Sequence, residues 1–282
     1  IRRDGSSRFG SNTKWGYFPA ASLGWRVTEE SFMENVTDVL SDLKLRVSYG
    51  ESGNNNLTEY GSIPVLADYN YSFNGTSANG QAPKSVVNPD LQWEKSRTMN
   101  YGVDFGLLQN RITGAFDIYK RKSSDLLLNV SIPQVTGFST LFTNAGEVEN
   151  KGWEFELNSR NLTGDFSWST SFNISHNTNK VTALPNGQTE IIVPSSFDIP
   201  HSLIRVGEPI LSINVVRQIG ILTAEDIAAG AARYGNQTAG DAKYFDANGD
   251  GTIDGNDRVI VGHPNPDYVY GMTNNFKYKN FD

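Results

Sequence analysis

Cysteine is absent from this chain of 282 residues, and histidine occurs only three times, at 176, 201 and 263. The first absence excludes disulfides, thiolate zinc sites and cysteine nucleophiles, and the second leaves little for imidazole metal centres. No apolar run approaches the roughly 18 residues of a membrane-spanning helix. Net charge is −7 with the basic residues scattered, which argues against nucleic acid as a partner because no basic patch is present. The chain opens on Ile1-Arg2-Arg3-Asp4 with no initiator Met and no secretory segment, and it stops just after an alternating apolar stretch at Lys279-Asn280-Phe281-Asp282. We expect an excerpt of a longer protein, so the missing targeting segment does not point to the cytoplasm.

What is present is alternation with period two, the mark of strands with one apolar face. Met99, Tyr101, Val103, Phe105 and Leu107 share a face opposite Asn100, Gly102, Asp104 and Gly106. Phe166, Trp168, Thr170, Phe172 and Ile174 oppose a row of Ser and Asn. Leu43–Gly50, Arg111–Tyr119 and Trp153–Asn158 repeat the pattern, and Tyr17–Val27 and Tyr268–Phe281 do so less cleanly. Seven strands result. The short joints at Gln109-Asn110 and Asn161–Asp165 take turns with long intervals at 51–97, 122–150 and 177–267. Alternate connections of an up-and-down sheet lie at opposite ends, so one end is trim and the other elaborate, as in outer-membrane barrels. A soluble sandwich has no reason to segregate its connections this way. Tyr and Trp gather towards strand ends (Trp15, Tyr17, Trp25, Tyr49, Tyr101, Tyr119, Trp153, Trp168, Tyr268, Tyr270, Tyr278), as in interfacial girdles. The predicted fold is all-β: an antiparallel, up-and-down transmembrane β-barrel segment, open in this excerpt, with long external loops and one short loop helix. Mean hydropathy of −0.42 is compatible with this, because each strand is apolar on one face only.

Several stretches carry a resemblance. Arg2–Gly10 (RRDGSSRFG), Trp15–Ala20 (WGYFPA), Leu43–Gly53 (LKLRVSYGESG), Asn88–Glu94 (NPDLQWE), Asp117–Lys122 (DIYKRK), Asn144–Phe155 (NAGEVENKGWEF), Gly240–Asp257 and Gly262–Pro266 run in an order similar to that of SusC/RagA-type TonB-dependent transporters. The resemblance covers essentially the whole chain. It implies an outer-membrane barrel of about 22 strands with a plugged lumen, in a Gram-negative bacterium, with residues 1–282 part of the C-terminal half of the barrel. It further implies a TonB complex engaged through a region not included here, a SusD-like surface lipoprotein, and glycan or peptide oligomers as the imported nutrient. The plug domain and both chain termini would lie outside this stretch.

Residues 246–257, DANGDGTIDGND, have the spacing of a calcium loop. Asp246, Asn248 and Asp250 would give side-chain oxygens, Thr252 its carbonyl, Asp254 a contact through water, and Asp257 the closing carboxylate. Gly251 stands at the sharp turn and Ile253 at the apolar anchor. Position twelve is Asp rather than Glu, and 235–245 lacks helical periodicity, so a helix-loop-helix sensor is not expected. A structural Ca²⁺ clip in a long loop is the reading, set against a metal-free Asx-rich turn. Tyr60, Tyr69, Tyr71, Phe73 and Trp93 in the first long interval are candidate ligand or partner contacts, against the alternative that they pack the loops together. Phe138 and Phe142 stand in the second interval on the same two readings. Thr223–Ala229 reads as a short capped helix. Glu154 and Glu156 share a strand face as a glycosidase pair would, but no apolar surroundings raise one of them, and no catalytic role is assigned. The rival readings are a secreted carbohydrate-binding β-sandwich and a calcium-stabilised adhesion module.

Overall fold

The computed structural model describes the chain except Ser11, Thr58, Tyr60, Gly61, Pro64, Ser139 and residues 194–200. It divides into two units, one of Ile1–Pro185 with Asp267–Asp282 and the other of Asn186–Pro266.

The first unit is built on one seven-stranded sheet. Its strands are β1 (Ala20–Arg26), β2 (Leu40–Asn54), β3 (Glu94–Leu107), β4 (Ile112–Ser124), β5 (Glu147–Leu162), β6 (Phe166–Ala183) and β7 (Tyr268–Tyr278). Each strand pairs antiparallel with its neighbours in the chain, from β7 at one edge to β1 at the other. These are the seven strands that the alternation predicts. Register fixes the faces: Leu45 stands opposite Val103, Val103 opposite Phe116, Phe116 opposite Phe155, Phe155 opposite Ile174, and Ile174 opposite Tyr270. One apolar row therefore crosses the sheet from β2 to β7. The row on one side of it carries Lys44 opposite Asp104 and Glu156 opposite Asn173, and the row on the other side carries Asp117 opposite Glu154. A slip of one residue in β2, β3, β4 or β5 would move charge into the apolar row.

The apolar face is bounded by aromatics. Phe166 and Trp168 stack on Phe276 at 6.3 and 5.8 Å near the short-turn end. Trp153, His176 and Tyr268 cluster at 4.8 to 6.3 Å nearer the other end. Along β6 the distance from Trp168 to His176 is roughly 20 to 26 Å, depending on tilt, close to the band of about 25 Å expected of a lipid-facing barrel wall. Not every expected girdle residue belongs to it. Tyr119 stands on the polar face, where its hydroxyl donates to Asn177 Oδ1 at 3.0 Å. Trp15 and Tyr17 belong to a separate hairpin, Arg2–Gly5 with Trp15–Phe18, where the Arg3 guanidinium lies 4.0 Å from the Trp15 ring centre.

The strands are longer than their alternation suggests. Polar residues continue the ladder past the apolar band, as in Glu147–Asn150 of β5. The connections accordingly shrink to 55–93, 125–146 and 184–267. Backbone pairing does not stop where the lipid does, because a ladder hydrogen bond in water is still satisfied.

Two of the long connections share a small core. Phe9, Phe18, Leu57, Leu91 and Trp93 are buried together, with Leu127 and Phe142 packed against them. Stretches far apart in sequence meet here through Asn144. Its Nδ2 donates to the Gln92 carbonyl at 2.7 Å and to the Asp125 carbonyl at 2.9 Å, while its Oδ1 accepts from the Gln92 N–H at 2.8 Å. Asn88 Nδ2 donates to Thr143 Oγ1 at 3.0 Å.

The second unit, read from sequence as one loop, has its own sheet of Glu190–Val193, Ser202–Arg205, Ser212–Val216 and Arg258–Gly262. A connection this long must satisfy its own backbone, which a sheet does and an irregular loop does not. The expected helix is present at Ala224–Ala228, with a reciprocal capping box between Thr223 and Asp226. Gly230 follows it at φ +78°.

Leu91 is fully buried, so Leu91→Ala is expected to destabilise the loop core by about 2 to 4 kcal/mol. Native-state amide exchange in the full-length protein would show it as faster opening at residues 88–93 and 142–144, with the sheet strands unchanged.

Candidate functional site

The polar face of the sheet is organised by Arg46. Its Nε donates to Asp104 Oδ2 at 2.8 Å and its Nη2 to Asp104 Oδ1 at 2.7 Å, a bidentate pair on the neighbouring strand. The same Nη2 reaches Asp117 Oδ2, two strands away, at 3.0 Å. Gly102 lies between them. A Cβ there would stand 2.6 Å from both Arg46 Cζ and Asp117 Oδ1, so the missing side chain lets the guanidinium lie flat across β3. Asp117 Oδ1 is buried without a hydrogen-bond partner among the described residues. Lys44, Glu154 and Glu156 share the face through their register. Glu154 and Glu156 line an open groove of about 280 Å³ with Ala115, Asp117, Asn173 and Ser175. Of Lys44, Arg46, Asp104, Asp117, Glu154 and Glu156, the structure joins Arg46, Asp104 and Asp117 into one network.

The aromatic candidates separate. Tyr71 and Phe73 lie on a hairpin with Thr76–Ala78 whose turn, Asn74-Gly75, has φ +51° and +75°. The two rings meet edge to face at 6.5 Å. Tyr69, joined to Gly80 by two backbone hydrogen bonds, precedes this hairpin. All three rings are more than half exposed, at 54, 54 and 68 % for Tyr69, Tyr71 and Phe73. Trp93 is not with them. It is 6 % exposed, packs on Phe9 and Phe18, and donates from Nε1 to the Lys14 carbonyl at 3.3 Å. A ring covered on this scale holds loops together and leaves no face for a ligand. Tyr60 lies outside the described residues.

The 246–257 loop is closed by its own hydrogen bonds. Asp246 accepts from the N–H of Gly249 at 2.7 Å and of Gly251 at 2.9 Å. Asn248 Oδ1 accepts from the Asp250 N–H at 3.0 Å, and Asp250 Oδ1 from the Thr252 N–H at 2.8 Å. Asp254 Oδ1 accepts from the Asn256 N–H at 2.6 Å. Asp257, fully buried, ties the two halves by accepting from Ala247 N–H at 2.9 Å and Asp254 N–H at 2.7 Å. Gly251 has φ +82°, the conformation that makes glycine suited to the turn. Ile253, 2 % exposed, anchors the loop beside Val215, Val216 and Tyr244. The residue run before the loop is a strand, Ala242–Tyr244, so no helix enters it. Among the described residues no three carboxylate or imidazole groups are gathered as a metal would need. Each carboxylate oxygen that accepts one N–H keeps a second lone pair, so the donor chemistry suits a hard cation.

The Asp254 N–H foremost holds the Asp257 carboxyl below its ordinary 3.8, burial opposing it and the Ala247 and Asn248 N–H groups assisting. Asp226 is lowered too, chiefly by Lys243 Nζ at 2.6 Å.

Sequence reasoning missed the Asn144 contacts. An Asn between Thr143 and Ala145 gives no signal of the distant carbonyls it serves.

A model of the family described as TonB dependent receptor-like, beta-barrel, matches residues 1–270. The TonB-dependent receptor SusC of Bacteroides thetaiotaomicron is 38 % identical over 296 residues, covering 100 % of this chain and 28 % of that protein. TonB-dependent receptor P3 of Formosa agariphila is 36 % identical over 286 residues, again covering 100 % and 28 %. A solved structure described as the RagAB peptide transporter superposes with a TM-score of 0.80 at 25 % identity, over 98 % of this chain and 29 % of that one. The chain spans under a third of the length of these relatives.

Two outcomes are expected. A depressed carboxyl stabilises above its unfolded pKa and loses that contribution as pH falls through the folded value. Asp257→Asn should therefore make residues 246–257 more protease-sensitive than wild type at pH 7, and the difference should close below pH 3.8. Arg46→Met leaves Asp104 and Asp117 facing each other without a cation, at a cost of about 1 to 3 kcal/mol. The temperature at which the folded full-length protein is lost should fall, and adding Asp104→Asn should recover most of the difference.

Proposed function

Because the chain belongs to the TonB dependent receptor-like β-barrel family, we propose that it forms barrel wall and external connections of an outer-membrane nutrient importer. The observation that carries this reading is the seven-stranded, strictly sequential sheet with one face apolar between two aromatic groups and the other charged. Such a wall meets lipid on one side and a watery lumen on the other. The chemistry is passive: Arg46, Asp104, Asp117, Glu154 and Glu156 present fixed charge and hydrogen-bond acceptors to whatever fills the lumen. TonB supplies the energy through a region outside this stretch.

The exposed Tyr71–Phe73 hairpin, with Tyr69 just before it, is the contact we assign to ligand or to a surface lipoprotein of the SusD kind. Aromatic faces on an Asn-rich hairpin suit sugar rings as well as peptide side chains. The similarity to a peptide transporter and to SusC supports import of an oligomer of one of these classes, and transport rather than catalysis. A secreted sandwich fits less well, since it would turn its Tyr and Trp faces inward.

A second reading concerns the 246–257 loop: we propose that it is a clip that takes Ca²⁺ from outside the cell, where sites of roughly 10⁻⁴ to 10⁻³ M are filled. The spacing of Asp246, Asn248, Asp250 and Asp257 about the left-handed turn at Gly251 supports it. In the full-length protein, millimolar Ca²⁺ should protect residues 246–257 from protease relative to chelator, and Asp246→Ala should abolish the difference. Equal cleavage with and without Ca²⁺ would leave a clip held by hydrogen bonds alone.

The main reading is tested by fractionating cells that express the full-length protein and running the outer membrane on a gel with and without heating. Recovery in that fraction, with faster migration unheated, is the expected outcome. Recovery in the soluble or secreted fraction would overturn it.

A further inference from the structure

One register step beyond the aromatic group of Trp153 and His176, the same outward face of the sheet becomes cationic. Over three successive register steps, outward positions of β3 to β6 carry Lys120 and Lys151, then Arg97, Lys122 and Lys180 beside Glu149 and the Glu51 of β2, then Lys95 with Glu147. The carboxylates are engaged: Glu51 with Arg97 at 3.0 Å, Glu147 with Lys122 at 2.7 Å, and Glu149 with Lys120 at 2.8 Å and Lys151 at 2.6 Å. Positive charge is in excess by three. Lys120 and Lys151 are direct cross-strand partners, an arrangement that repels unless anions are near. Glu149 neutralises one of the two. Both side chains remain more than half exposed, at 55 and 56 %.

Directly beneath them lies a groove of about 360 Å³ lined by Tyr101, Ile118, Gly152, Trp153 and His176, with Lys120 and Lys151 at its rim. An apolar slot on the lipid-facing side, closed at the headgroup level by two lysines, matches one chemistry: an acyl chain bearing an anionic phosphate. At the long-connection end of the strands the facing leaflet is the outer one.

We propose that this face binds a phosphorylated glycolipid of the outer leaflet, its phosphate between Lys120 and Lys151 and an acyl chain in the groove below. The inference rests on the orientation given above, with the long connections outside. Binding here would brace β4 against β5 from the lipid side.

The test uses the full-length protein purified in zwitterionic detergent, with bis-phosphorylated lipid A as probe and native mass spectrometry as readout. Wild type should retain lipid A. Lys120→Gln/Lys151→Gln should bind it roughly tenfold more weakly, and Lys120→Arg/Lys151→Arg should keep it. Dephosphorylated lipid A should bind wild type as weakly as intact lipid A binds the Gln pair. Equal retention of lipid A by the Gln pair, or of the dephosphorylated lipid by wild type, overturns the proposal. So does release of lipid A by an equimolar amount of inorganic phosphate, which would mark a free-anion site. If the Gln pair fails to fold, the comparison of the two lipids on wild type decides alone. A faster-migrating unheated band in every variant keeps the barrel reading standing whichever way the lipid result falls, so the two can fail separately.

Discussion

A sheet with lipid on one face and water on the other depends on its register more than on any single contact. Within the hydrocarbon no water is available to an unpaired N–H or carbonyl, so the ladder must run unbroken from strand to strand. Side chains alternate with period two, so the same ladder decides which face each residue meets. Leu45, Val103, Phe116, Phe155, Ile174 and Tyr270 fall in one row only because five consecutive pairings agree. The polar row beside it follows at no further cost.

On that polar row, charge is tolerated because it is paired across strands rather than buried alone. Arg46 spans β2 to β4 and joins Asp104 and Asp117, and it can do so because Gly102 presents no side chain between them. The planar guanidinium suits this better than a lysine would, since it meets one carboxylate with two nitrogens and still reaches the second. Phe105 lies over Gly114 in a related way on the apolar face, its ring filling the space that the glycine leaves. Glycines within strands are weak points unless a neighbour covers them, and here arginine and aromatic side chains do.

Beyond the membrane band the constraint changes. Water satisfies the backbone there, and connections must find other reasons to be ordered. Asn144 with Gln92, Asn88 with Thr143, and the packing of Trp93 on Phe9 and Phe18 bind two connections into one small core. In the second unit the 246–257 loop solves the same problem locally. Carboxylate and amide oxygens take the N–H groups of a tight turn, and Ile253 provides the anchor. The exposed Tyr71–Phe73 hairpin is ordered by a turn, Asn74-Gly75, whose two residues both accept left-handed backbone.

The seven strands, their faces and the segregation of short and long connections were legible in the sequence, because period-two alternation is a local property and each strand writes its own. The Asp246–Asp257 turn and the capped helix at Thr223 were legible for the same reason, their partners lying within a few residues. Strand ends were not, since the apolar pattern stops at the lipid boundary while the ladder continues. Nor was the burial of Trp93 or the sheet within Asn186–Pro266. Each of these depends on residues brought together from distant parts of the chain. Sequence by itself determined the wall, whose side-chain pattern repeats every two residues. Only the tertiary structure decided which loop aromatics stay exposed and which charges meet, because those outcomes turn on register between strands tens of residues apart.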